Sequence, residues 1–206
     1  MTGELSTDAE LSEIVRLEAR EIRNPLRAEL ETHARAVTFN DMRRLAAVGA
    51  PAAMLFGAGL IAFTDIEVDR RDIWQPSDQG ARCVMVLAEE EGAAVDLIAF
   101  GLSAPDTWFV RTGATWALGM DAILDASRSW GDDARLVLHA TPLDWLRARC
   151  VGACVTLWTD EAKRTLCHLP GIDVRSPAMA SALRAQLSRP LSLPSIQVQR
   201  GARYAA

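Results

Sequence analysis

The stretch Cys83 to Gly119, CVMVLAEEEGAAVDLIAFGLSAPDTWFVRTGATWALG, decides how this chain folds. Three β-rich runs, Cys83 to Ala88, Ala94 to Phe100 and Thr107 to Arg111, are separated by Glu-Glu-Glu-Gly and by Leu-Ser-Ala-Pro-Asp, which predicts a meander with two turns. In the first run Val84, Val86 and Ala88 alternate with Cys83, Met85 and Leu87, and both sets are apolar. A strand apolar on both faces is expected to be covered on both, so this one belongs at the centre of a sheet.

Upstream, Leu60 to Thr64, Ile66 to Val68 and Ile73-Trp74 read as further short strands, and Gln75 to Gly80 as a turn. Consecutive strands mostly pair antiparallel, so the middle of the chain predicts an antiparallel sheet. Thr38-Phe39-Asn40-Asp41 predicts a helix N-terminus with Thr38 as cap, a buried stripe of Phe39, Met42, Leu45 and Ala46, and a stop at Gly49. Pro51 fits the first turn of a short helix that ends at Gly57. Before these, Leu11, Ile14, Val15, Ala19, Ile22, Leu26 and Leu30 recur every three or four residues, an amphipathic helix from about Thr7 to Ala36 with a bend at Asn24-Pro25. Its stripe can pack on its own domain or on a second copy, but it lacks sustained heptads.

After Gly113 helix and strand alternate. Leu118 to Ala126 has helical period, Leu136 to His139 is a strand, and Thr141-Pro142-Leu143-Asp144 opens a helix with cap, first-turn proline and acid. Ala153 to Trp158 is an apolar strand, Thr159 starts another helix, and Ser176-Pro177 starts a last one with stripe Met179, Leu183 and Leu187. The expectation is an α+β fold: an N-terminal helical segment over residues 1–36, then one mixed domain over 37–206 in which a mainly antiparallel sheet is extended by a C-terminal βαβα portion.

Composition sets the outer limits. At 206 residues, with 50% hydrophobic and 24% charged side chains, the chain can build a core without disulfide or metal. The longest apolar run, Gly49 to Phe63, is broken by Pro51, Gly57 and Gly59, and the first residues are acidic, so the expected setting is cytoplasmic and away from the membrane. A net charge of −5 offers no general attraction for nucleic acid. The local exception is Arg184, Arg189, Arg200 and Arg203, a basic run without acids that suits contact with phosphate or an acidic partner, or simply a solvated tail.

No G-x-S-x-G, P-loop or G-x-G-x-x-G is present, and no catalytic residue or cofactor site is assigned. Cys150, Cys154, Cys167 and His168 are of metal-ligating type, but Cys150 ends a helix and Cys154 begins an apolar strand, so they read as small hydrophobes together with Cys83. His33 and His139 stand without a nearby nucleophile and read as structural. The six tryptophans read as core anchors or as a partner surface.

Glu91, Asp96 and Asp160 form an alternative acid site for Mg²⁺, because carboxylates at strand ends supply the oxygen ligands that ion takes. Glu91-Gly92 after one strand and Asp160 after another loosely resemble the toprim domain of primases and topoisomerases, which would make the chain a degenerate Mg²⁺-dependent nucleic-acid-processing domain. The second aspartate of the toprim Asp-x-Asp is replaced by Ala162, and a turn and a helix start explain the same acids without chemistry. More broadly, the segments 95–119, 138–158 and the closing helix with LSLPSI resemble a group of uncharacterised small proteins of prophages and mobile elements of high-GC bacteria. The resemblance carries no activity. It implies a context, genes that travel with phage replication and DNA-processing functions. Because the sequence lacks the polar clusters expected of an enzyme, the expectation is a non-catalytic binding or accessory module of such an element, its partner a protein or, through the apolar stripe of the first helix, a second copy.

Overall fold

The computed structural model describes residues 24–128 and 135–190. Asn24, in a non-helical conformation, caps α1 (Pro25–Ala34) by accepting from the Leu26 N–H. The expected bend is therefore a helix start, because the residue before a proline is driven out of the helical region. Residues 7–23 of the Thr7 to Ala36 reading lie outside the described residues.

The predicted meander is the centre of a five-stranded antiparallel sheet ordered β2-β1-β3-β4-β5. Its strands are β1 (Ile61–Val68), β2 (Trp74–Pro76), β3 (Ala81–Glu90), β4 (Ala93–Gly101) and β5 (Ala104–Val110). The predicted break at Asp65 is absent, and Gln75-Pro76 belong to β2 rather than to the turn. Glu91 and Gly92, both at positive φ, make the tight turn between β3 and β4.

As its two apolar sets require, β3 is covered twice. Val84, Val86 and Ala88 meet Phe63, Ile98 and Phe100 in a core closed by α2 (Phe39–Ala47) and α3 (Ala52–Gly57), through Leu45 and Leu55. Cys83, Met85 and Leu87 join Trp74, Leu97 and Leu30 on the other face, so the described part of the N-terminal segment spends its stripe on its own sheet. β3 is thus the middle strand of the five, with an apolar core on each face.

Thr38 and Asp41 form the expected capping box of α2. Phe39, however, is 83% exposed. It occupies the first helical position, on the side turned away from Leu45, while Asp41 is turned inward to receive Arg82 at 2.8 Å. Pro51 precedes α3 as its N-cap instead of entering its first turn.

The C-terminal portion does not add strands to the first sheet. It builds a second, mixed sheet ordered β6-β8-β7-β9. The strands are β6 (Ala117–Leu118), β7 (Leu136–His139), β8 (Ala153–Val155) and β9 (Ile172–Val174), and the helices are α4 (Met120–Arg128), α5 (Pro142–Arg147), α6 (Asp160–Cys167) and α7 (Pro177–Leu187). Strands β8, β7 and β9 run parallel, and β6 is antiparallel to β8. Leu118, predicted helical, lies in β6, and the apolar run after Ala153 leaves the sheet at Val155.

The chain passes from β7 through α5 to β8 on one side, then from β8 through α6 across β7 to β9 on the other. Crossovers of one hand in opposite directions put their helices on opposite faces. Accordingly Leu143 and Leu146 of α5 join the core shared with the first sheet, whereas Ala162 and Leu166 of α6 and Met179 and Leu183 of α7 pack with Ile123, Leu136 and Leu138 on the far face.

Candidate functional site

The opposed crossovers leave an opening where adjacent parallel strands send their chains to opposite faces. Strand β7 leads into α5 on one face, and its neighbour β9 leads into α7 on the other. In open α/β sheets this switch point, at the carboxyl ends of the strands, is where a crevice forms. Two cavities lie at this end of the sheet, and Leu138 and His139 line both. The first, about 580 Å³, is lined on the α5 side by Asp144, Arg147, Asp173 and Arg175. The second, about 470 Å³, is lined on the α7 side by Trp108, Trp158, Met179, Leu183 and Gln186.

Local sequence explains these positions. Thr141 caps α5 by accepting the Asp144 N–H at 3.1 Å and donates its own hydroxyl to Asp144 Oδ2 at 3.0 Å. Asp144 also receives Arg147 Nη1 at 3.0 Å, and Arg147 Nε donates to the Val48 carbonyl at 2.7 Å, which ties α5 to the turn after α2. Asp173 is paired with Arg135 at 2.7 Å, and that hydrogen bond holds its carboxyl below the usual aspartate range. His139 Nε2 lies 2.8 Å from the Val151 carbonyl. Since a carbonyl only accepts, this nitrogen is the donor. Trp108 Nε1 donates to the Thr156 carbonyl at 3.0 Å, which pins the first sheet's edge strand to the second sheet beside the crevice.

The three acids considered for Mg²⁺ go to three different places. Glu91 sits in the β3–β4 turn, where its N–H donates to Asp121 and its carboxylate faces Arg128 at 3.6 Å. Asp96 is wholly buried in β4, with Oδ1 accepting the N–H groups of Leu97, Arg111 and Thr112 and Oδ2 that of Gly113. Asp160 opens α6 beside Lys163 at 3.3 Å. The physical reason is the pair of sheets: the turn at Glu91 closes a hairpin of the first, while Asp160 follows a parallel strand of the second. Among the described residues no group of three or more His, Cys, Asp or Glu side chains is placed to hold a metal ion.

The same holds for the cysteine grouping. Cys154 is buried in β8, Cys150 is half-buried after α5, and Cys167 is exposed at the end of α6, beside His168, whose Nδ1 lies 2.6 Å from the Arg164 carbonyl. Burial pushes the Cys83 and Cys150 thiols up to about 11 and raises Cys154 as well, the environment of inert packed thiols. Arg184 and Arg189 are exposed on α7 and just beyond it, while Arg200 and Arg203 lie outside the described residues.

Sequence reasoning treated His139 as structural, and it did not single out Arg147, Arg175 or Gln186. The usable signal was the βαβ alternation itself, because successive strand ends in such a unit mark the crevice before any residue in it is known. No protein-family model, curated protein or solved structure matches this chain, so the site is read from its own geometry. Among the described residues no helix is long and apolar enough to cross a membrane.

Proposed function

We propose that this protein is a non-catalytic binding module, of the accessory kind carried by phages and mobile elements, and that it binds in the crevice at the carboxyl ends of β7 and β9. One observation carries the reading: two chambers of ligand size meet at His139 at the topological switch point. The polar groups there support binding over catalysis, since Asp144 serves the cap of α5, Asp173 pairs with Arg135 and His139 is anchored to Val151. The mobile-element setting rests on the resemblance of segments 95–119, 138–158 and the closing helix with LSLPSI to uncharacterised small proteins of prophages and mobile elements.

The test is a fragment screen of the full chain by NMR, repeated on Ala182→Trp. Ala182 is an exposed position of α7 that lines the second chamber, so the larger side chain fills the chamber without entering the core. Fragments that bind the parent and are expelled by the substitution are the expected result. Absence of binders, or binders indifferent to Ala182→Trp, would remove the reading.

A further inference from the structure

The two chambers differ in chemistry. In the second, Trp108 is held by its hydrogen bond to Thr156, while Trp158 is 36% exposed and its indole N–H has no hydrogen bond among the described residues. Two indoles on one cavity, with Met179 and Leu183 behind them, suit a flat aromatic ring, since base-like rings stack on aromatic side chains. Gln186 lines the same chamber, and its Oε1 is buried without a hydrogen-bond partner. A ring amino group would satisfy that acceptor.

In the first chamber the acids are already neutralised, Asp144 by Arg147 and Asp173 by Arg135. Arg175 lines it with no ion pair among the described residues, leaving one uncompensated positive charge beside His139. An anionic group complements that charge, and a guanidinium favours planar or tetrahedral oxyanions. Arg175 and Ser176 are consecutive and line one chamber each, so a ligand that spans the shared rim meets both chemistries.

We propose that the crevice takes an aromatic anion of nucleotide size, its ring against Trp108 and Trp158 and its charged group at Arg175. This rests on the crevice being a binding site, as proposed above. Purine nucleotides and aromatic carboxylates share the chemistry, so calorimetric titration of the full chain uses AMP, adenosine, inorganic phosphate and indole-3-acetate.

The expected result is saturable AMP binding, with adenosine and phosphate each weaker by about tenfold or more. Arg175→Ala should weaken AMP by about tenfold and leave adenosine unchanged, because only the anionic contact is removed. Trp158→Ala should weaken both, and Trp158→Phe should restore them, which separates loss of stacking from loss of fold. Binding of indole-3-acetate alone, with the same dependence on Arg175 and Trp158, upholds the aromatic anion and assigns it as a carboxylate. If neither anion binds at about 10 mM, or if AMP binding ignores Arg175→Ala, the proposal is overturned. In that event fragments still expelled by Ala182→Trp would leave the binding-module reading standing, whereas their absence would take both.

Discussion

Asp96 is solvated by the chain in place of water. Its two oxygens accept four backbone N–H groups, three of them from the turn that follows β5, so one buried carboxylate sets the path from the first sheet toward the second. Asp96→Ala leaves those donors unpaired in the interior and is expected to cost about 3 kcal/mol or more in urea denaturation. Asp96→Asn should rescue little, since an amide that keeps an oxygen toward Leu97, Arg111 and Thr112 turns its NH₂ against the Gly113 N–H. Because both oxygens of Asp96 are already engaged by backbone N–H groups, millimolar Mg²⁺ should leave the melting temperature unchanged. A rise abolished by Glu91→Gln would restore the toprim-like reading.

Asp41 couples stability to pH from a buried position. Burial raises its pKa, but the Arg82 guanidinium, the Thr38 N–H and the Thr38 hydroxyl together outweigh burial and hold it below the usual aspartate range. A depressed native pKa stabilises the fold above the unfolded value of about 3.9, and that contribution is lost as pH falls through the native value. Asp41→Asn should therefore cost about 2–3 kcal/mol at neutral pH, with the difference from the parent shrinking below about pH 4. A stability gap that persists unchanged into acid would contradict this assignment.

At the scale of elements, the junction of α5 with β8 depends on a close backbone approach. Gly152 has φ +79°, and a Cβ there would lie 2.3 Å from the Val137 carbonyl oxygen. Its own carbonyl accepts Trp145 Nε1 at 2.9 Å, so the strand, the preceding helix and β7 are locked at one point. Gly152→Ala combines a left-handed conformation with a backbone clash and should cost about 2–4 kcal/mol, measured as a shift of the denaturation midpoint at constant slope. Because Val137 lines the first chamber, the substitution should also disturb the crevice.

For the whole molecule, the decisive feature is that the core of the first sheet is also one face of the second. Phe63, Val86 and Phe100 lie in the same cluster as Leu118, Leu143, Trp145 and Cys154. Two layers that share a core cannot unfold separately without exposing it, so far-UV dichroism and tryptophan fluorescence should report one coincident transition. Phe100→Ala should move both signals together by about 3–5 kcal/mol of stability. Distinct transitions for the two probes would show that the sheets are independent units.

Much of this architecture was legible in local chemistry. The double alternation in Cys83 to Ala88 announced a strand covered on both faces, and Thr38, Thr141, Thr159 and Ser176 each cap the helix their spacing predicts. These features depend on neighbours a few residues away, which is the range over which period and capping act. The short strands β6 and β9 were not legible, because two or three residues carry no periodicity and are held by partners far along the chain. Phe39 was misread for a related reason: its spacing fits the helical stripe, but only the docking of Asp41 on Arg82 fixed which side of α2 turns inward.

The antiparallel meander, the helix starts and the α+β class follow from interactions that are local or repeated along a single element, so residue order was enough to specify them. Long-range packing instead gave the C-terminal strands their own sheet, separated Glu91, Asp96 and Asp160, and set His139 between the cavity of Arg175 and that of Trp108 and Trp158. Those outcomes follow from which face each crossover takes and from packing between residues distant in the chain, and neither is encoded in spacing.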